Sequence, residues 1–272
     1  MSDVVSVLAA CDPERGEACS EVRSTRRFVM LLHPHATGLS RYPAHVPTPD
    51  AIIDLLAALA YGELSAFDRL ADDARMSPTL AGRAEMSAMA AFEFGHYERL
   101  AGRLRELGAD PAEAMEPFVA ALDTYHALTE PSTWLEGVVK AYVGDGMAAD
   151  FYREVASFVD ESTRTLIHEV LADSAGTAAN AGVAGGGGRA EFALREVRAA
   201  VSANPAAADR AALWARRLVG EAISQTQHVL ADRDSLMMLM VAGTGGLSGV
   251  ASMITRITER HEERMRALGL AS

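Results

Sequence analysis

Ala91-Phe92-Glu93-Phe94-Gly95-His96-Tyr97-Glu98-Arg99-Leu100 sets an acid and an imidazole three residues apart, the spacing that brings Glu93 and His96 to one face of a helix. Reading outward in alternating steps of three and four gives Met86, Met89, Glu93, His96 and Leu100. That is an apolar stripe interrupted by two residue types that ligate metals. An earlier segment does the same with one carboxylate, in Leu56, Leu59, Glu63, Phe67 and Leu70. Such stripes face a core, where an ionised carboxylate is costly unless something compensates it. Inward acids with a histidine are most simply compensated by a metal cation.

A Glu from one helix and a Glu-x-x-His from the next make half of the di-iron carboxylate site of a ferritin-like bundle. The rest of the chain suits a helical host. Ala is abundant and β-branched runs are nearly absent over 272 residues, so an all-α fold is expected. A net charge of -12 argues against broad, non-specific nucleic-acid binding, which needs a basic surface, and leaves room for a local basic patch. Cys11 and Cys19 fall outside every helical pattern, so no disulfide framework or thiolate metal site is indicated, which suits a reducing cytoplasm. The apolar run Phe28 to Leu32 is too short for a signal-peptide core, and no later run is long enough for a membrane span.

Residues 1–47 hold Pro13, Pro34, Pro43 and Pro47 without a helical period and read as a flexible tail or arm. Residues 48–272 read as the helical domain. Thr48-Pro49-Asp50 supplies a cap, a first-turn proline and a first-turn acid, starting a helix that runs to about Arg75. Ser77-Pro78 repeats the signal, and Gly108 ends the second helix. A crossover carrying Pro117, His126 and Pro131 follows. A third helix covers about Ser132 to Phe158, where two stripes compete. One runs Leu135, Val138, Tyr142, Asp145, Ala149, Tyr152; the other runs Val143, Met147, Asp150, Glu154, Phe158. Asp160 caps a fourth helix holding Leu166, Val170 and Asp173 on one face. Residues 174–188 are Ala/Gly-rich and read as a flexible insertion. Helices resume at Arg189, at about Ala207 and at about Val250, beyond what a four-helix bundle needs.

Gly62-Glu63-Leu64-Ser65-Ala66-Phe67-Asp68-Arg69-Leu70, Glu93-Phe94-Gly95-His96-Tyr97 and Lys140-Ala141-Tyr142-Val143-Gly144-Asp145-Gly146 together resemble the actinobacterial ferritin-like proteins related to tRNA 2-methylthio-N6-isopentenyladenosine hydroxylase. The similarity covers about residues 49–235 apart from the insertion. It implies an up-down four-helix bundle with a crossover, here with additional C-terminal helices. It also implies two irons, dioxygen-dependent hydroxylation of an isopentenyl group on a tRNA adenosine, and an electron donor that the sequence does not name. Carried over residue by residue, the resemblance makes Glu63, Glu93, His96, Asp145 and Asp173 the metal ligands, with Glu93 bridging and no further catalytic residue.

The second half departs from the family pattern. The histidine expected three residues after Asp173 is Gly176, or Arg189 if the insertion is looped out. Two aspartates in place of glutamates also draw the ligand oxygens back by a methylene each. Three outcomes remain open: relocated ligands, a single iron, or a metal-free scaffold acting as an interaction or homodimerisation module, in which Arg189 neutralises the buried acids. Iron storage fits less well, because nothing in the sequence shows how a cage would assemble.

Overall fold

The computed structural model describes residues 47–174 and 188–270, with side chains of 172–174 excepted. Most of the expected arm (1–46), with its cysteines, and most of the expected insertion (175–187) lie outside the described residues. Everything described is helix, turn or loop, with no strand. Among the described residues no single helix is long and apolar enough to cross a membrane.

Local signals start and stop the helices. Thr48 Oγ1 accepts from Ala51 N at 3.3 Å to open α1, Pro49–Asp73. The second start falls two residues later than the Ser77-Pro78 signal. Thr79 is extended and its Oγ1 accepts from Gly82 N at 3.0 Å, so α2 spans Leu80–Glu106. Gly108, at φ +82, ends α2 in a left-handed turn in which Ala109 N reaches back to Leu104 O. The stripes read from sequence are buried: Leu56, Leu59 and Leu70 on α1 pack inward with Met86 and Leu100 on α2. Each such side chain contributes about 1.5–3 kcal/mol of burial.

Helix α3, Pro111–Leu128, is the crossover. It runs alongside α1 in the same direction, with Tyr61 donating to Asp123 at 2.7 Å and His126 meeting Ser65 at 3.1 Å. It therefore returns the chain so that α4, Trp134–Val155, descends parallel to α2. Trp134 abuts Gly82 near the start of α2, while Gly137 abuts Asp73 and Gly62 lies by Tyr152 along α1.

The fourth position of the bundle is filled by two helices, α5, Glu161–Ser174, and α6, Arg189–Ala203. Together they run against α2. Ser162 is beside Arg103 near the end of α2, Arg189 is beside Glu93 at its middle, and Arg195 is beside Glu85 near its start. Helix α6 thus begins level with Glu93.

Helix α7, Ala206–Asp232, packs on α3 and α4, with Trp214 Nε1 donating to Glu136 O at 3.0 Å. At its end Arg233 and Ser235 both bond Asp54 of α1. Helices α8, Asp234–Thr244, and α9, Leu247–Ala267, meet at 87° across Gly245 and Gly246. The backbone at both glycines has positive φ, which a side chain would strain.

Candidate metal centre

Glu63 comes from the middle of α1, and Glu93 and His96 come from adjacent turns of α2; all three side chains are buried. His96 Nδ1 lies 3.2 Å from Glu63 Oε2 and 3.2 Å from Glu93 Oε2. One ligand atom from each residue falls within 4.8 Å of the others. Among the described residues this is the one group of three metal-ligating side chains close enough to share an ion.

The surroundings divide the cluster in two. Tyr152 Oη on α4 donates to Glu63 Oε1 at 3.1 Å, so the first stripe of α4 does face the site. Arg189 Nη2 donates to Glu93 Oε1 at 2.5 Å, and its Nη1 lies 2.9 Å from Asp145 Oδ1. The guanidinium side chain is only 8 % exposed, so it holds a fixed charge inside the bundle. Asp145 is therefore brought to the site as the partner of Arg189, outside the ligand triad. Asp173 lies on α5, but its side chain is outside the described residues. The competing stripe of α4 faces elsewhere: Asp150 pairs with Arg153 and Arg264, and Glu154 pairs with Arg256 and Arg260.

Burial and charge displace the ionisation of these groups. Burial raises the Glu63 carboxyl to about 8 against the opposing hydrogen bond from His96. Burial would raise Glu93 as well, but the Arg189 guanidinium, helped by His96, holds it well below the usual carboxylate range. For His96 burial disfavours the charged ring, yet the two carboxylates win and raise it to about 9. Asp145 is raised by burial to about 6 although Arg189 opposes the shift.

A second buried polar group forms around His126 and Lys140, and sequence periodicity gave no sign of it. His126 Nε2 bonds Ser65, whose hydroxyl donates to Gly62 O at 3.0 Å, and Lys140 Nζ donates to Thr129 O at 2.7 Å. Burial lowers His126 to about 3 and Lys140 to about 8. The packing of α3 on α1 brings His126 to Ser65, and Lys140 reaches the end of α3 from α4.

The helix order, the crossover and the inward acids agree with the outcome of a family comparison. A family model described as "Ferritin-like domain, actinomycetes" matches residues 48–243. The chain belongs to this family. Comparison with curated proteins yields no match. The matched residues run from the start of α1 into the last turn of α8, and α9 lies past them.

Two carboxylates and an imidazole suit a divalent ion of the iron, manganese or zinc type, and here they fit one such ion. His96 presents Nδ1 to both carboxylates, while its Nε2 is buried with no hydrogen-bond partner. A second ion does not fit beside them as the side chains stand. The remaining Glu93 oxygen and Asp145 are already engaged by a cation that cannot ligate.

Proposed function

We propose that this ferritin-like domain is a metalloprotein in which Glu63, Glu93 and His96 hold a single divalent ion, with iron as the ion implied by the family resemblance. The observation that carries this reading is the approach of His96 Nδ1 to one oxygen of each glutamate, all three side chains being buried. When bound, iron supplies one-electron chemistry toward dioxygen. The chain's own residues would orient and exclude. Tyr152 holds the outer oxygen of Glu63, Arg189 holds the outer oxygen of Glu93, and the helix packing keeps water from the ligands.

An oxygenase acting on an apolar alkyl group remains the activity class favoured by the resemblance. Its tRNA substrate rests on that resemblance alone. The two-iron centre of the related hydroxylases is the part that the Arg189 contacts argue against. A second reading, a metal-free scaffold, is favoured by those same contacts, because Arg189 neutralises Glu93 and Asp145 with no ion present.

The test is iron per chain after anaerobic ferrous loading and desalting, for the natural chain and for Glu93→Ala with His96→Ala. About one iron, lost in the double variant, supports the proposal. No iron in either leaves the scaffold. Two irons would restore the dinuclear reading.

A further inference from the structure

We propose that Arg189 is a tethered replacement for a second metal ion, and that Glu93 Oε1 and Asp145 form a latent cation site which this side chain fills. The inference rests on the single-ion reading above and extends it to the other side of Glu93.

Glu93 divides its two oxygens between two partners. Oε2 faces His96, and through it Glu63, whereas Oε1 receives Arg189. The guanidinium also reaches Asp145 on the facing helix α4, so its planar fork joins acids from two helices across the bundle. A carboxylate with one oxygen turned to the ligands of the proposed ion and the other held by a guanidinium has the arrangement of a bridging ligand, with an organic cation on one side. Charge agrees with this. Three described carboxylates, those of Glu63, Glu93 and Asp145, are matched by one divalent ion and one guanidinium. A second divalent ion added beside Arg189 would leave the buried site with excess positive charge, which is costly.

The position of Arg189 in the chain points the same way. It is the first residue of α6, whose cap residue Gly188 offers no side-chain acceptor. A cation is disfavoured at a helix N-terminus by the helix dipole, so an arginine here serves something other than its own helix. Because α6 begins level with Glu93, its first side chain enters the bundle there. Arg189 also lines a cavity of about 310 Å³ together with Tyr142, Asp145, Arg153 and Arg264. Truncating Arg189 would therefore open a space that an ion with its waters could enter.

Cobalt(II) per chain, measured on the full-length protein after equilibrium dialysis, tests this with Arg189→Gln, Arg189→His and Arg189→Lys. Helical circular dichroism and a cooperative melt show that each variant is folded. The natural chain and Arg189→Lys, which keeps the charge, are expected to bind one ion; Arg189→Gln and Arg189→His are expected to bind two. Adding Asp145→Asn to Arg189→Gln removes a ligand of the second ion, relieves the unpaired acid and should return the count to one. Folded Arg189→Gln and Arg189→His proteins that still bind the same number as the natural chain would overturn the proposal. If the natural chain binds none but Arg189→Gln gains an ion that Asp145→Asn removes, the single-ion reading fails while the role of Arg189 stands.

Discussion

Arg189 Nη2 lies 2.5 Å from Glu93 Oε1 inside the helical bundle, joining the residue that opens α6 to the middle of α2. This contact spans 96 residues of sequence and occupies the oxygen of Glu93 that His96 does not use. It gives one acid two positions, candidate ligand on one side and ion-pair partner on the other.

Removing that acid should expose what the pair holds. Glu93→Ala leaves Arg189 buried with only Asp145, and breaking such a pair typically costs about 3–5 kcal/mol. Combining Glu93→Ala with Arg189→Met should recover most of that loss. Urea unfolding of the two singles and the double, all without metal, measures the coupling. Additive losses would mean that the pair is energetically idle.

The pH dependence of the metal-free protein follows from the same cluster. His96 is raised from 6.5 to about 9 by its carboxylates, so the stability it contributes is complete below 6.5 and is lost as pH rises through about 9. Glu63 is raised from 4.5 to about 8, so its ionisation opposes folding increasingly above 4.5. Glu93 is depressed and acts oppositely, contributing stability above 4.5 that is lost in acid. The urea midpoint should therefore be higher at pH 6 than at pH 8.5, at up to about 1.4 kcal/mol per pH unit for each proton released. Saturating zinc should shrink that difference, because the metal displaces the protons of the cluster. A midpoint that rises toward pH 8.5 without metal would contradict the proton placement.

Tyr152→Phe removes the donor to Glu63 Oε1 and nothing else that the ring contributes to packing. Groups that orient a ligand in this way commonly change metal affinity by about 10–100-fold. Weaker binding at unchanged stoichiometry is expected in a competitive chelator titration. Unchanged affinity would show that α1 alone positions Glu63.

Two glycines should respond in opposite directions. A Cβ on Gly243 would collide with the Phe158 ring, whereas one on Gly220 meets nothing within 4 Å. Gly243→Ala should destabilise by about 1–3 kcal/mol through overpacking. Gly220→Ala, inside α7, should stabilise by about 0.5–1 kcal/mol through its better helix propensity. Thermal melts of both report this directly, and equal shifts of one sign would refute the packing of α8 against the turn that follows α4.

The amino-acid sequence by itself determined the features that depend on neighbours along one helix. Thr48 and Asp160 cap because their side chains reach amides within one turn. Glu93 and His96 converge because a three-residue step returns to the same face. Glu63 is inward because its stripe is apolar on either side. Tertiary structure decided everything that depends on what lies opposite. Two stripes on α4 looked equal because both faces are covered, one by the Glu63–Glu93–His96 cluster and the other by the arginines of α9. Spacing along the chain therefore could not choose between Asp145 and Asp150. Asp145 is within reach of the centre only through Arg189, and Arg189 is there because α6 starts level with Glu93. Such a contact between distant segments has no period to read, since it is set by how the helices pack.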